Sequence, residues 1–187
     1  MERMILASAS PRRRELLHQI GLKPEIVPSR IEERITRTEP DQVVMELARQ
    51  KAEDVASLYK GENVIVIGAD TVVASDGKIL GKPHSRQEAF DMLCGLQGRE
   101  HQVYTGVTVI DCATGNQETF AEMTEVSVYP MSDEEIRRYI DTGEPMDKAG
   151  AYGIQGQFAA YIRGIRGDYT NVVGLPVGRV YQTIKNI

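Results

Sequence analysis

The sequence has no tryptophan and only two cysteines, three phenylalanines and three histidines in 187 residues. Cys94 and Cys112 are too few and too far apart for a disulfide framework or a zinc ribbon, so reduced thiols are expected. His18, His84 and His101 are scattered, with neither a serine partner nor metal-ligand spacing among them. No apolar run approaches the ~20 residues of a membrane span, and the N-terminal run is too short for a secretory leader. Asn-X-Ser/Thr acceptors are absent as well. These absences lead us to expect a soluble cytoplasmic protein without membrane contact. No Gly-x-x-x-x-Gly-Lys-Ser/Thr run occurs, which removes P-loop ATPase chemistry, and without a Gly-x-Ser-x-Gly elbow serine hydrolase chemistry has little support. Positive charge is also short: 22 Lys and Arg stand against 27 Asp and Glu, a net charge of -5. Such a chain repels polyanions, so a nucleic-acid partner is not expected without a local basic patch.

What remains is ordinary globular material. The length predicts one domain over residues 1–187, able to bury roughly 70% of the unfolded chain's surface. Residues 4–7 form a short apolar run that gives way to a helix capped by Ser10, opened by Pro11 and stopped at Gly21. A second helix starts at Thr38-Glu39-Pro40 and runs to about Tyr59. Residues 64–69 are apolar without alternation, as in a strand covered on both faces, and Asp70 is expected to end it. Asp76-Gly77 predicts a hairpin joining residues 71–75 to residues 78–80, which would carry Lys82 toward Asp70. Capping boxes at Ser85 and Ser132 open two more helices. Strands are expected at 101–111, 118–129 and 157–162, a turn at 164–167, and a last helix at 177–185. Helices and strands alternate without repeat or linker, so the fold class is α/β with a central sheet.

Three features of this pattern could carry chemistry. Lys51 falls in the middle of the apolar stripe of the second helix, between Ala48 and Val55, at about 100° per residue. Either its stem lies along apolar surface with the ammonium in water, or the ammonium is aimed at an internal anionic site. Asp70, at the expected carboxyl end of a buried strand, stands where α/β sheets bind ligands; a lone Asp there would more often cap a turn. Its company favours the ligand. Ser8 ends another strand, and the helix that follows offers free N–H groups with Arg12 and Arg13 in its first turn, cations that oppose the helix dipole unless an anion is bound. Glu32-Glu33, in a loop, would hold Mg²⁺ or Mn²⁺ if the fold brings them to Asp70.

Several motifs here, taken together, resemble the Maf family of nucleoside triphosphate pyrophosphatases. They are Ser8-Ala9-Ser10-Pro11-Arg12-Arg13, Ile67-Gly68-Ala69-Asp70-Thr71-Val72-Val73, Gly81-Lys82-Pro83 and the turn-rich stretch from Glu144 to Gly156. Gly167-Asp168-Tyr169 and Gly174-Leu175-Pro176 extend the likeness over essentially the whole chain. The resemblance implies a central mixed twisted sheet flanked by helices, with two lobes around a cleft, as in Maf and ITPase-like enzymes. It also implies a house-cleaning hydrolase that cleaves a nucleoside triphosphate to the monophosphate and pyrophosphate with a divalent cation, and a homodimer. By the same resemblance Asp70 is the general base, Lys51 and Lys82 are catalytic cations, Ser8, Arg12 and Arg13 hold phosphate, and Glu32 joins Asp70 on the metal. A one-residue shift of that loop would put Glu33 in the place of Glu32. Arg12, Thr71 and Gln155 match the branch that prefers dTTP and UTP, and modified pyrimidine nucleotides fall within the same expectation. Gln155, with a donor and an acceptor, could pair with the O4 and N3–H edge of thymine or uracil. Maf relatives are also associated with arrest of septum formation, so the competing expectation is a cell-division regulator acting through a partner or nucleic acid.

Overall fold

The computed structural model describes residues 3–187. Strand β1 (Arg3–Leu6) gives way to helix α1 (Pro11–Gln19) where the period changes, with Pro11 in the first turn and the Ser10 hydroxyl accepting from the Arg13 N–H. Strand β2 (Glu25–Ile26) is too short to leave a period in the sequence and pairs parallel with β1. Helix α2 (Pro40–Ala56) follows, extended by a 3-10 turn at Ser57–Tyr59. The chain then forms β3 (Val64–Ser75), β4 (Lys78–Leu80), α3 (Arg86–Leu96), β5 (Glu100–Asp111) and β6 (Gln117–Val128). Helix α4 (Asp133–Asp141) opens with the full capping box of Ser132 and Glu135. After three 3-10 turns come β7 (Ile162–Arg166), α5 (Tyr169–Val173) and α6 (Val177–Asn186). One mixed seven-stranded sheet runs β2-β1-β3-β5-β6-β7, with β4 paired antiparallel to β3.

Two expectations are corrected. Asp70 does not end its strand: β3 continues unbroken to Ser75. Along one stretch β3 is paired with β1 through Ile67 and from Val73 with β4, and β5 is a further neighbour of this strand in the sheet. Asp70 and Thr71 lie in the interval between the β1 and β4 pairings, and from Val64 to Ala74 they alone are not buried. The second correction concerns residues 157–167. The expected strand is a 3-10 turn over Gln157–Tyr161, and residues 164–166 of the expected turn lie within β7, which pairs antiparallel with β6 and sets Gly164 opposite Ser127. Phe158 is buried while Gln157, Ala159 and Ala160 are exposed, so the stretch lacks the alternation a strand needs.

The chain divides into two compact units, which the strand β3 enters in turn. The first takes the residues up to Asp70, Thr105–Glu122 and Gly174–Ile187; its core sets Ile5, Val64, Val66 and Ile110 against Ala52 and Val55 of α2. Two glycines let α2 lie directly on the sheet. A Cβ at Gly68 would stand 2.5 Å from the Ala48 carbonyl oxygen, and one at Gly106 would stand 2.1 Å from that of Val44. The second unit takes Thr71–Tyr104 and Met123–Val173. There α3 packs on α4, and the rings of Tyr139, Phe158 and Tyr152 stack at centroid separations of 5.1 and 4.6 Å. Such pairs contribute ~0.5–1.5 kcal/mol each beyond their burial. His101, fully buried, meets the Tyr152 hydroxyl at 2.6 Å through Nε2, and burial lowers its pKa to about 4, so it is neutral near pH 7. Among the described residues no helix is long and apolar enough to cross a membrane.

Candidate active site

The lysine on the buried stripe of α2 resolves in favour of the internal anion. Lys51 Nζ lies 2.6 Å from Asp70 Oδ1 and 3.1 Å from Glu33 Oε1. The Lys51 and Asp70 side chains are each only 16% exposed. The close seat of α2 on Gly68 and Gly106 gives the ammonium this reach. The loop before α2 presents Glu33 to the ammonium; Glu33 and its neighbour Glu32, the acid first expected on the metal, are both exposed.

At the start of α1 the geometry is equally built. Ser8, 9% exposed, accepts hydrogen bonds from the Ser10 N–H at 3.2 Å and from Arg13 Nη1 at 3.1 Å. With both lone pairs engaged, the hydroxyl proton is the group Ser8 has left to offer a ligand. Arg13 is further anchored by Nε, which donates to the Gly174 carbonyl at 2.8 Å. Burial pushes the Arg13 guanidinium down from its ordinary value; the charge of Asp70 is the main opposing influence, Arg12 adds to the lowering, and Glu33 opposes it. Arg12 is half-buried in the same turn. One unit thus sets Lys51 against Asp70 and Glu33 and places Arg13, whose guanidinium feels the charge of both carboxylates, and Arg12 in the first turn of a capped helix.

The second unit holds Thr71, Lys82 and Gln155. Thr71 is half-buried, and Lys82 and Gln155 are exposed. The Gly81 carbonyl accepts from the Gly150 N–H at 3.1 Å, which ties the segment of Lys82 to the turn-rich stretch. The expected hairpin forms, with Asp76 and Gly77 both at positive φ, 50° and 71°.

Sequence reasoning missed the residues that shape the Gln155 segment. Tyr139 donates to Glu144 Oε1 at 2.9 Å and accepts from the Gly153 N–H at 3.2 Å, and Glu144 Oε2 accepts from the Gln157 N–H at 3.2 Å. Gly156 rides directly on this carboxylate: a Cβ there would stand 2.0 Å from Glu144 Oε1. Tyr139 reads in the sequence as an apolar position of α4, and nothing in the local pattern ties it to a loop more than ten residues away.

The chemistry of the donor set suits a hard divalent cation. Among the described residues no group of three or more His, Cys, Asp or Glu is assembled, but Mg²⁺-type ions commonly take only one or two protein carboxylates, with substrate oxygens and water completing the shell. Asp70 and Glu33, which converge on one ammonium, supply that number.

A family model described as Maf-like protein matches residues 3–187. The dTTP/UTP pyrophosphatase of Agathobacter rectalis is 52% identical over 201 residues, covering 100% of this chain and 98% of that protein. The dTTP/UTP pyrophosphatase of Carboxydothermus hydrogenoformans is 50% identical over 183 residues, covering 98% of this chain and 97% of its own. Among solved structures, a HAM1 protein from Coxiella burnetii is 11% identical, with a TM-score of 0.54 over 100% of both chains, a likeness of fold.

Proposed function

Because the chain belongs to the Maf family, we propose that it is a nucleoside triphosphate pyrophosphatase that hydrolyses dTTP and UTP to the monophosphate and pyrophosphate. The observation that carries this reading is the meeting of Lys51, Asp70 and Glu33 in the unit that also holds Ser8, Arg12 and Arg13. In an acidic chain, cations concentrated at a helix start and on a buried helix face are placed for a polyanion.

In the reaction, Asp70 takes a proton from water as the water oxygen bonds to the α-phosphorus and the α–β bridging oxygen departs with pyrophosphate. Lys51 and Arg13 offset the charge that grows on the phosphate oxygens, Arg12 and the Ser8 hydroxyl bind the triphosphate, and the family resemblance makes Lys82 a further catalytic cation. Asp70 and Glu33 are the residues that would hold Mg²⁺ or Mn²⁺, which when bound neutralises triphosphate charge and polarises the phosphoryl oxygens. The family resemblance assigns Thr71 and Gln155 to the nucleoside, with Gln155 pairing to the O4 and N3–H edge.

Pyrophosphate release across dTTP, UTP, dCTP and dGTP with Mg²⁺ and Mn²⁺ tests the reading. Preference for dTTP and UTP is expected; equal rates on dCTP and dTTP contradict the role of Gln155. A two-point contact of this kind amounts to about 1–3 kcal/mol, or roughly tenfold to a hundredfold in kcat/KM. Tyr139→Phe removes the hydroxyl that holds both Glu144 and the Gly153 N–H, and it is expected to reduce the preference for dTTP over dCTP as Gln155→Ala does. Unchanged selectivity in Tyr139→Phe would separate that hydrogen-bonded clamp from base recognition.

A further inference from the structure

Residues 27–39 connect β2 to α2 without regular structure of their own, yet this segment delivers Glu33 to Lys51. Its backbone groups are met by side chains spaced one helical turn apart on α2. Glu46 Oε2 accepts from the Thr36 N–H at 2.9 Å, and its other oxygen accepts from the Thr36 hydroxyl. Gln50 forms a two-point contact with one residue, accepting from the Arg34 N–H at 3.0 Å and donating to the Arg34 carbonyl at 2.7 Å. Asp54 Oδ2 accepts from the Ser29 hydroxyl at 2.7 Å and from the Arg30 N–H at 3.0 Å. Positions i, i+4 and i+8 of a helix share one face, so the three side chains form a ladder, and the loop descends it antiparallel to α2. Gln50 and Lys51 are adjacent on the helix, as are Arg34 and Glu33 on the loop. The rung at Gln50 therefore sets the register of the ion pair beside it.

We propose that Glu46, Gln50 and Asp54 are positioning residues that bind the 29–36 segment along α2 and so hold Glu33 ready as a metal ligand. The metal part rests on the assignment of Glu33 under the proposed function; the strap itself rests only on the hydrogen bonds. An exposed loop left to itself would have to order its backbone each time the cation bound, an entropic cost that shows as weaker affinity. The ladder meets that cost in advance. Consistent with it, the side-chain and backbone hydrogen bonds from Thr36 hold the Glu46 carboxyl below its ordinary value, and those from Ser29 and Arg30 do the same for Asp54.

Gln50→Ala and Glu46→Ala test this in the full chain, with Glu46→Gln as the conservative variant that keeps an acceptor for the Thr36 N–H. Amide hydrogen exchange over residues 29–37 reads the strap without any metal, and Mn²⁺ binding to the protein alone reads its consequence. Faster exchange in both alanine variants is expected, with a Mn²⁺ Kd about tenfold weaker, the size typical of groups that orient a ligand. Glu46→Gln is expected to restore both, and kcat at saturating Mn²⁺ is expected to change less than Kd. Unchanged exchange overturns the strap outright. Faster exchange with unchanged Mn²⁺ affinity, when Glu33→Gln does weaken Mn²⁺, overturns the positioning role. If Glu33→Gln leaves Mn²⁺ affinity intact, the ligand assignment fails and the proposal's metal part with it, while exchange still decides the strap.

Discussion

Asp70→Asn is expected to lower pyrophosphate release from dTTP by about 10²–10⁴ while leaving the melting behaviour close to that of the parent. Asparagine has the same shape and keeps an oxygen to accept from Lys51 Nζ, which lies 2.6 Å from Oδ1. It cannot take up a proton from water, and it contributes no charge to a cation. Lys51→Ala is expected to cost about 10²–10³ in rate, but it is the less clean experiment. It leaves Asp70 and Glu33 without the ammonium they share, and an unpaired, largely buried carboxylate costs up to several kcal/mol of stability. Kinetics and thermal melting on the asparagine variant therefore carry more weight. Turnover within a few fold of the parent would remove Asp70 as the base.

The second large effect is structural and reaches the site through α2. Gly106→Ala places a Cβ 2.1 Å from the carbonyl oxygen and 2.3 Å from the carbonyl carbon of Val44, both backbone atoms that no rotamer change can move aside. The helix must lift from the sheet. Overpacking of this kind typically costs 1–3 kcal/mol and here should reach about 3 kcal/mol or more, because backbone rather than a side chain must give. Urea unfolding is expected to show the loss, together with a fall in kcat as Lys51 moves off Asp70. Gly95 serves as the contrast: an added Cβ there meets nothing within 4 Å, so the same substitution should not destabilise. Wild-type stability in Gly106→Ala would mean that α2 does not owe its place to these glycines.

Much of this was legible in the chain itself, wherever the determining interaction is local. Ser10 with Pro11 marks the start of α1, Ser132 with Glu135 marks that of α4, and Asp76-Gly77 marks the hairpin, each through hydrogen bonds or dihedrals within four residues. Lys51 was visible as a charge at an apolar period, and its partner Asp70 as a charge beside an apolar run; the contact between them follows from the strand lying under the helix. What was not legible depends on partners distant in sequence. Asp70 reads as a strand stop, yet β3, whose neighbours β1, β4 and β5 all come from elsewhere in the chain, runs on through it to Ser75. Gly164 and Gly167 read as a turn, yet pairing with β6 makes a strand of residues 162–166. The choice of Glu33 over Glu32 at the ammonium is set by Glu46, Gln50 and Asp54, polar residues on α2 whose partners lie ten or more residues away. Periodicity records which face of α2 is buried and carries nothing about what its polar face holds.

Hydrolysis of dTTP in water enriched in heavy oxygen, followed by mass spectrometry of both products, bears most directly on attack by an Asp70-activated water at the α-phosphorus. The heavy oxygen is expected in dTMP, with the pyrophosphate unlabelled. Label in the pyrophosphate, or release of orthophosphate in its place, would mean that the bond broken or the phosphorus attacked is a different one.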